Sequence, residues 1–198
     1  MSGLSIGVVC FPSLGGSGSV AVELGRALAG RGHRVHVIAS ERPARLDARA
    51  SFLRVEPTSY PLFDRSPYTI ALASTLVSAA SELALEVVHL HYALPHAASA
   101  LLARAALGDR RPAIVVTVHG TDVTAFGGHD AHGPVIAASL RAADALTAPS
   151  RFLRERAREA LGVVPEVVPN FVDPDVFRPE AARPARLDAL FGHAAAGA

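Results

Sequence analysis

The sequence has few cysteines and no long apolar run, and these absences exclude several classes of protein. Its single cysteine, Cys10, cannot form an internal disulfide, which fits a reducing compartment. Because Cys10 lies in an apolar segment, we expect it in the core and not as a nucleophile. No apolar run is long enough to span a bilayer, and no charged-then-apolar leader stands at the N-terminus. We therefore expect a cytoplasmic protein without membrane contact.

An excess of charge of one sign is also missing. The formal net charge is +1 and the charged residues are spread along the chain. No basic stripe points to nucleic acid, so we expect small-molecule partners. All 19 basic residues are arginine, and a step that needs lysine against a phosphate cannot be served by this chain.

Half of the 198 residues are hydrophobic, enough for a substantial core, and they follow an alternating pattern. Short apolar runs predict strands at 6–10, 35–39, 52–55, 87–91, 113–118, 145–148 and 167–168. Helical periodicity predicts helices at 20–29, 68–85, 95–107, from about 134, and at 151–161. This alternation predicts an α/β fold with a doubly wound parallel sheet, Rossmann-like in type. Ligands then bind beyond the carboxyl ends of the strands.

A glycine-rich turn, residues 12–19, follows the first strand. Gly15, Gly16 and Gly18 let the backbone turn sharply and leave the N–H groups of the next helix open to an anion. The alternative is a tight connection that binds nothing.

The same turn also satisfies the pattern G-x-G-x-x-A at Gly16, Gly18 and Ala21. Glu41 follows the second strand at about the distance of a ribose-binding acid. A nicotinamide-dependent enzyme is therefore a rival interpretation.

Two polar groups of residues lie at or near the ends of other strands. His119, Gly120, Thr121 and Asp122 end the strongest strand and can hold a sugar through directed hydrogen bonds; a capped strand end with a structural aspartate is the alternative. In the preceding strand, His89 and His91 share one face, and His96 is near. A metal site is an alternative for these histidines, but no acidic or cysteine partner is evident.

Taken together, several motifs form one ordered set. They are Cys10–Ser13, Gly15–Gly18, Glu23–Gly25, Arg31–His33, His89–His96, His119–Asp122 and Asn170–Asp173. The set resembles the N-terminal half of the retaining GT-B glycosyltransferases of the glycogen-synthase-like family 4. Residues 66–74 and the pairing of His-x-His-Tyr with Pro-His make it most similar to the branch that uses L-malate as acceptor. The resemblance covers residues 4 to about 178.

The resemblance implies transfer of N-acetylglucosamine from UDP-N-acetylglucosamine to L-malate with retention, the first step of bacillithiol biosynthesis. It implies no metal and no cofactor beyond the donor substrate. By motif, the donor would contact Gly15, Gly16 and Asn170, and His119 would contact the transferred sugar as the catalytic residue. The acceptor would contact Ser17, Tyr92, Thr117 and Thr121.

The sequence departs from the family pattern in two places. Before its fifth strand the family usually carries an Arg ahead of Phe-Gly-Ile, whereas this chain reads Ile-Ala-Ala-Ser-Leu-Arg at residues 136–141. We expect Arg141 or another basic group to compensate. The family's second domain supplies Lys, Arg and a pair of Glu eight positions apart, none of which this chain provides in that pattern.

We therefore interpret residues 1–178 as the N-terminal, acceptor-side domain and residues 179–198 as the start of a linker or truncated second domain. Alone, the chain is expected to be inactive, with the missing domain supplied by the same gene or by a partner chain. A family 4 transferase with another acceptor and a non-catalytic nucleotide- or anion-binding module stay open, as does homo-oligomer formation.

Overall fold

The computed structural model of the chain describes residues 3–57, 59, 61 and 67–178. Seven strands form one sheet: β1 (Ser5–Val9), β2 (Arg34–Ala39), β3 (Ser51–Arg54), β4 (Val87–His91), β5 (Ala113–Thr117), β6 (Ala145–Ala148) and β7 (Glu166–Val167). Their order is β3-β2-β1-β4-β5-β6-β7 and each pairing is parallel. The prediction of a doubly wound parallel sheet is confirmed.

In the described part of the chain, six α-helices connect the strands: α1 (Gly16–Gly30), α2 (Tyr68–Glu82), α3 (His96–Leu107), α4 (Thr121–Thr124), α5 (His132–Arg141) and α6 (Arg151–Leu161). A 3-10 turn, Gly108–Arg110, follows α3. Helices α2, α3, α5 and α6 pack on one face of the sheet, whereas α1 packs on the other. Right-handed crossovers produce this division, because the strand order reverses at β1.

The core is divided in the same way. On the side of the four helices, Val88 and Leu90 of β4 pack with Ile114 and Val116 of β5. On the α1 side, the smaller cluster includes Cys10, which is fully buried as predicted. Burial raises the pKa of this thiol to about 12, so it stays protonated and packs as a small apolar group.

Several helix boundaries differ from the predictions, and one short helix was not predicted. Helix α2, for example, ends at Glu82 and not at Leu85. Helix α1 begins at Gly16, inside the segment predicted as a turn, with Gly15 as its extended N-cap residue. The first helical turn was not predicted because its glycine and serine residues show no apolar periodicity. Helix α4 was not predicted, since four residues show no periodicity.

Other predictions fall on residues outside the described part. They include the interpretation of residues 179–198 as the start of a linker or truncated second domain. Within the described part, no helix has the length and apolar character that a membrane crossing requires.

Candidate functional site

The N-terminus of α1 opens the candidate site. Its N-cap residue, Gly15, offers no side chain to the first-turn N–H groups, and Gly15 and Gly16 are both exposed. A Cβ atom built on either glycine would meet no heavy atom within 4 Å, and Gly16 has a φ of +58°. The open backbone N–H groups and the helix dipole favour an anion here.

Gly18 has a different role in the same turn. A Cβ atom on Gly18 would lie 2.5 Å from the carbonyl oxygen of Phe11 and 2.8 Å from that of Ser13. The chain leaving β1 therefore passes directly against α1 at this point. Gly18 is required for packing, whereas Gly15 faces open space.

A cavity of about 640 Å³, the Ser17 cavity, lies between this turn and the segments after β4 and α4. It is lined by Phe11, Ser13, Ser17, Tyr92, Leu94, Pro95, Phe126 and His132. The Tyr92 hydroxyl and the Thr121 Oγ1 atom form a hydrogen bond. Three residues predicted for the acceptor, Ser17, Tyr92 and Thr121, are thus brought together.

Asp122 ties the loops of this region to each other. Its carboxylate is fully buried and accepts hydrogen bonds from the backbone N–H groups of His119 (3.1 Å), Gly120 (2.8 Å) and Ala93 (3.1 Å). These bonds join the loop after β5 to the loop after β4. Asp122 therefore has the structural role given as the alternative in the sequence analysis. The loop that it stabilises contains His119 and Thr121.

A second cavity of about 290 Å³, the Asn170 cavity, lies on the α1 side of strands β4 to β6. It is lined by Val20, Leu24, Leu28, His89, His91, Thr117, Thr147, Val168, Pro169, Asn170 and Phe171. Its polar groups come from three neighbouring strands and from the segment after β7.

The structure separates Thr117 from the other predicted acceptor residues. Its side chain lines the Asn170 cavity, and its Oγ1 atom lies 2.7 Å from both His89 Nε2 and Thr147 Oγ1. The prediction that Thr117 faces the same site as Ser17 and Tyr92 is therefore not supported. The parallel register explains this, since it aligns Thr117 with His91 and with Thr147.

The three histidines of β4 and the β5 loop form a connected row. The rings of His89 and His91 stack at 4.5 Å between centroids, and His91 Nδ1 lies 3.0 Å from His119 Nε2. Burial lowers the pKa of His89 to about 4 and that of His91 well below its ordinary value, helped by the neighbouring imidazoles. Burial also lowers the pKa of His119, against the opposing effect of the Asp122 charge. The row is therefore neutral near pH 7, and hydrogen bonds, not charge, are what its rings can offer to a ligand.

His96 lies apart from this row. Its Nδ1 atom donates to the carbonyl oxygen of His91 at 2.8 Å, and its ring contacts Phe11 at 4.6 Å between centroids. Among the described residues, no group of three or more His, Cys, Asp or Glu side chains is arranged to hold a metal ion.

The geometry also weighs against the nicotinamide alternative. A dinucleotide fingerprint needs its first glycine directly after the strand. Here β1 ends at Val9 and α1 begins at Gly16, so a long connection replaces the tight turn.

Arg141 does not join the predicted acceptor residues. Its Nη2 atom donates to the carbonyl oxygen of Leu161 at 2.9 Å, at the C-terminal end of α6. It lines a different cavity, together with Gly128 and Gly162. The structure does not support a compensating role for Arg141, because its guanidinium caps α6. That another basic group compensates stays a prediction.

Thr147 was not predicted as a residue of the site, nor was Ala93 predicted as a hydrogen-bond partner of Asp122. Thr147 lies in a short strand whose register with β5 cannot be obtained from the sequence alone. The partners of Asp122 include the N–H group of Ala93, which is 29 positions away. The alternation within β4, which puts His89 and His91 on one face, was the local signal toward the Asn170 cavity, and the family resemblance named two more of its residues, Thr117 and Asn170.

Comparison with known proteins agrees with this architecture. The sequence profile described as Glycosyltransferase Family 4 matches residues 14–176. The fold resembles a glycosyltransferase from Rickettsia africae ESF-5, with a TM-score of 0.68 at 17% identity over 97% of this chain and 49% of that one. It also resembles a sucrose-phosphate synthase from Thermosynechococcus elongatus, with a TM-score of 0.69 at 15% identity over 96% and 53%.

The chain therefore belongs to Glycosyltransferase Family 4 and has the fold of the N-terminal half of a GT-B enzyme. At the level of single proteins, it is 39% identical over 179 residues to the N-acetyl-alpha-D-glucosaminyl L-malate synthase of Bacillus anthracis. That match covers 88% of this chain and 47% of the relative. The chain thus spans about half the length of the proteins that it resembles.

Proposed function

We propose that this chain is the acceptor-side domain of a retaining glycosyltransferase that transfers N-acetylglucosamine from UDP-N-acetylglucosamine to L-malate. The observation that carries the proposal is the 39% identity to the malate synthase across 88% of the chain. Transfer forms the bond between the sugar C1 and the malate hydroxyl oxygen, breaks the bond between C1 and the diphosphate, and releases UDP. In the proposed route the leaving phosphate accepts the hydroxyl proton, so no dedicated base is needed.

The Ser17 cavity is the proposed acceptor site. L-malate carries two carboxylates, and the uncapped N-terminus of α1 beside Ser17 offers N–H donors and a positive dipole end to one of them. We assign the other polar groups of the acceptor to the hydroxyls of Tyr92 and Thr121, which are hydrogen-bonded to each other.

The donor is proposed to cross the carboxyl ends of β1, β4 and β5. Its diphosphate would approach Gly15 and Gly16, where no side chain hinders contact with the backbone. His119 would donate a hydrogen bond to the transferred sugar, and Asn170 would line the cleft. The stabilisation of departing UDP needs cationic groups, which we assign to a second domain like that of the longer relatives.

A binding experiment tests the acceptor assignment. L-malate is titrated calorimetrically into the chain and into a Ser17→Ala variant, which should bind malate about tenfold more weakly through loss of a hydrogen bond to a charged group. Ser74→Ala, an exposed serine on α2, is the matched control and should bind malate like the wild type. Equal heats from all three proteins would contradict the site.

Transfer itself is tested with the protein translated from the complete reading frame, including whatever follows Ala198. UDP-N-acetylglucosamine and L-malate are supplied, and the glycoside and UDP are detected by mass spectrometry. The proposal expects both products with the α anomer retained, and the 198-residue chain alone is expected to form neither.

A different acceptor is the second candidate function, and one observation favours it. No arginine lines the described Ser17 cavity, and its walls are mainly apolar and aromatic. A neutral monosaccharide that binds where L-malate gives no heat would support this candidate, since apolar walls with a few hydroxyls suit a sugar better than a dianion.

A further inference from the structure

The two ring nitrogens of His91 have different surroundings. Nδ1 lies 3.0 Å from Nε2 of His119, within hydrogen-bond distance. Nε2 is sealed from solvent and has no hydrogen-bond partner among the residues that the structure describes. This unequal environment decides where the protons of the pair reside.

A hydrogen bond between two neutral imidazoles requires one N–H donor, and a neutral imidazole has only one. If His119 Nε2 donates, the proton of His91 must be on its Nε2, which leaves a buried N–H group without an acceptor. If His91 Nδ1 donates, its Nε2 is an unprotonated acceptor that merely lacks a donor. Buried N–H groups without partners are the rarer of the two in folded proteins, so the second arrangement is favoured.

We propose that His91 is a positioning residue that donates its Nδ1–H to Nε2 of His119 and so keeps the His119 proton on Nδ1. This inference rests on the proposed function in one respect, namely that His119 contacts the transferred sugar. His119 Nδ1 forms no hydrogen bond with the described residues and is not among their sealed-off atoms. The proton is thus held on the nitrogen that is open to a ligand.

Neighbouring groups fix both rings for this task. The His91 ring stacks on His89, whose Nε2 is in turn bonded to Thr117 Oγ1 at 2.7 Å. The backbone N–H of His119 is held by the buried carboxylate of Asp122. Burial lowers the pKa of both His91 and His119, which agrees with a pair of neutral rings near pH 7.

The tautomer is measured directly by long-range ¹H–¹⁵N correlation spectra of the 198-residue chain at pH 7.5, with His119 assigned through a His119→Gln variant. The expected spectrum shows His119 with a protonated Nδ1 and an unprotonated Nε2. A protonated His119 Nε2 in the wild-type chain overturns the proposal, whatever the behaviour of any variant.

Two variants of similar size separate a donor from a packing group. His91→Asn retains an N–H group near the Nδ1 position, and His119 should keep its Nδ1 proton. His91→Leu retains packing but cannot donate, and His119 should lose the Nδ1–H form as its main species. A Leu variant that folds and keeps the wild-type tautomer overturns the proposal, because packing alone would then suffice.

The positioning role has a kinetic consequence in the protein from the complete reading frame. His91→Leu should lower kcat at least tenfold, and His91→Asn should retain most of it. Equal kcat values for the two variants overturn the positioning role. The spectra need no substrate, so a chain with the expected tautomer and no transfer in the wild type would overturn the proposed function and leave the His91 hydrogen bond in place.

Discussion

The two faces of strands β4 to β6 are built from alternate residues of the same segments, yet they differ in chemistry. The face covered by α2, α3, α5 and α6 is apolar, with Val88, Leu90 and Val116 at its centre. The opposite face of the same strands lines the Asn170 cavity with His89, His91, Thr117 and Thr147. One face therefore stabilises the domain, and the other carries part of the candidate site.

The difference shows how a parallel sheet acquires a binding face. Central strands of such sheets are usually apolar on both sides, because helices cover both. Here the register places His91, Thr117 and Thr147 side by side. The hydroxyls of Thr117 and Thr147 bond to each other and His91 Nδ1 bonds to His119, which offsets the cost of burying these atoms, whereas His91 Nε2 has no partner among the described residues. Substitutions on the two faces should thus have separable effects on stability and binding.

Asp122→Ala should have the largest effect on stability, although Asp122 lies in the candidate site and not on the apolar face. Asp122 belongs to the site loop, but its removal leaves three backbone N–H groups without their acceptor, and we expect a loss of about 4 kcal/mol in the free energy of unfolding. Urea denaturation measures it. Asp130→Ala, at an exposed position nearby, is the control and should stay within about 0.5 kcal/mol of the wild type. Similar losses in both variants would contradict the role of Asp122.

Leu90→Ala tests whether a substitution on the helix-covered face changes stability without changing binding. Leu90 is fully buried, and its truncation should lower the free energy of unfolding by about 3 kcal/mol through lost contacts and a residual cavity. If the proposed function holds, the affinity of the folded fraction for L-malate should remain unchanged, as calorimetry well below the unfolding midpoint would show. A changed affinity would mean that the two faces are not separable.

Acid should destabilise the domain through the polar face. The pKa of His89 falls from 6.5 to about 4 on folding, so the unfolded chain takes up a proton at a higher pH than the folded chain. The free energy of unfolding should therefore decrease as the pH falls from 6.5 to 4, with His89 contributing at most about 3 kcal/mol. Urea titrations across this range measure the slope. His89→Gln, which lacks the titrating group, should have a shallower slope, and identical slopes would contradict the assignment.

Thr147→Val should produce the smallest effect. It keeps the shape of the side chain but loses the hydrogen bond between the hydroxyls of Thr147 and Thr117, at a cost of about 1 kcal/mol. Ser78→Ala removes an exposed hydroxyl on α2 and is expected to have no measurable effect. If the two variants unfold alike, the hydroxyl pair does not support the polar face.

The sequence was sufficient to predict the parallel sheet, but it was insufficient to predict which atoms the site residues contact. Apolar runs and their alternation with helices predict the parallel sheet, because each strand carries its own pattern. The pairing of His89 with His91 on one face follows from the same local rule. The cavity that Thr117 lines and the atoms that Arg141 contacts depend on strand register and helix packing, which no local pattern encodes. For the same reason, the Asp122 bond to Ala93 was not foreseeable.

The contrast between Gly15 and Gly18 bears on how tolerance to mutation should be interpreted in this turn. Gly18 has the Phe11 carbonyl oxygen 2.5 Å from where a Cβ would be, so any other residue there should be rejected during folding, with or without substrate. Gly15 has extended backbone and free space around it, so a library of variants should yield folded protein with many side chains at this position. If activity requires glycine at position 15, the reason would be contact with a ligand. If it requires glycine at position 18, the reason would be that no other residue allows the chain to fold.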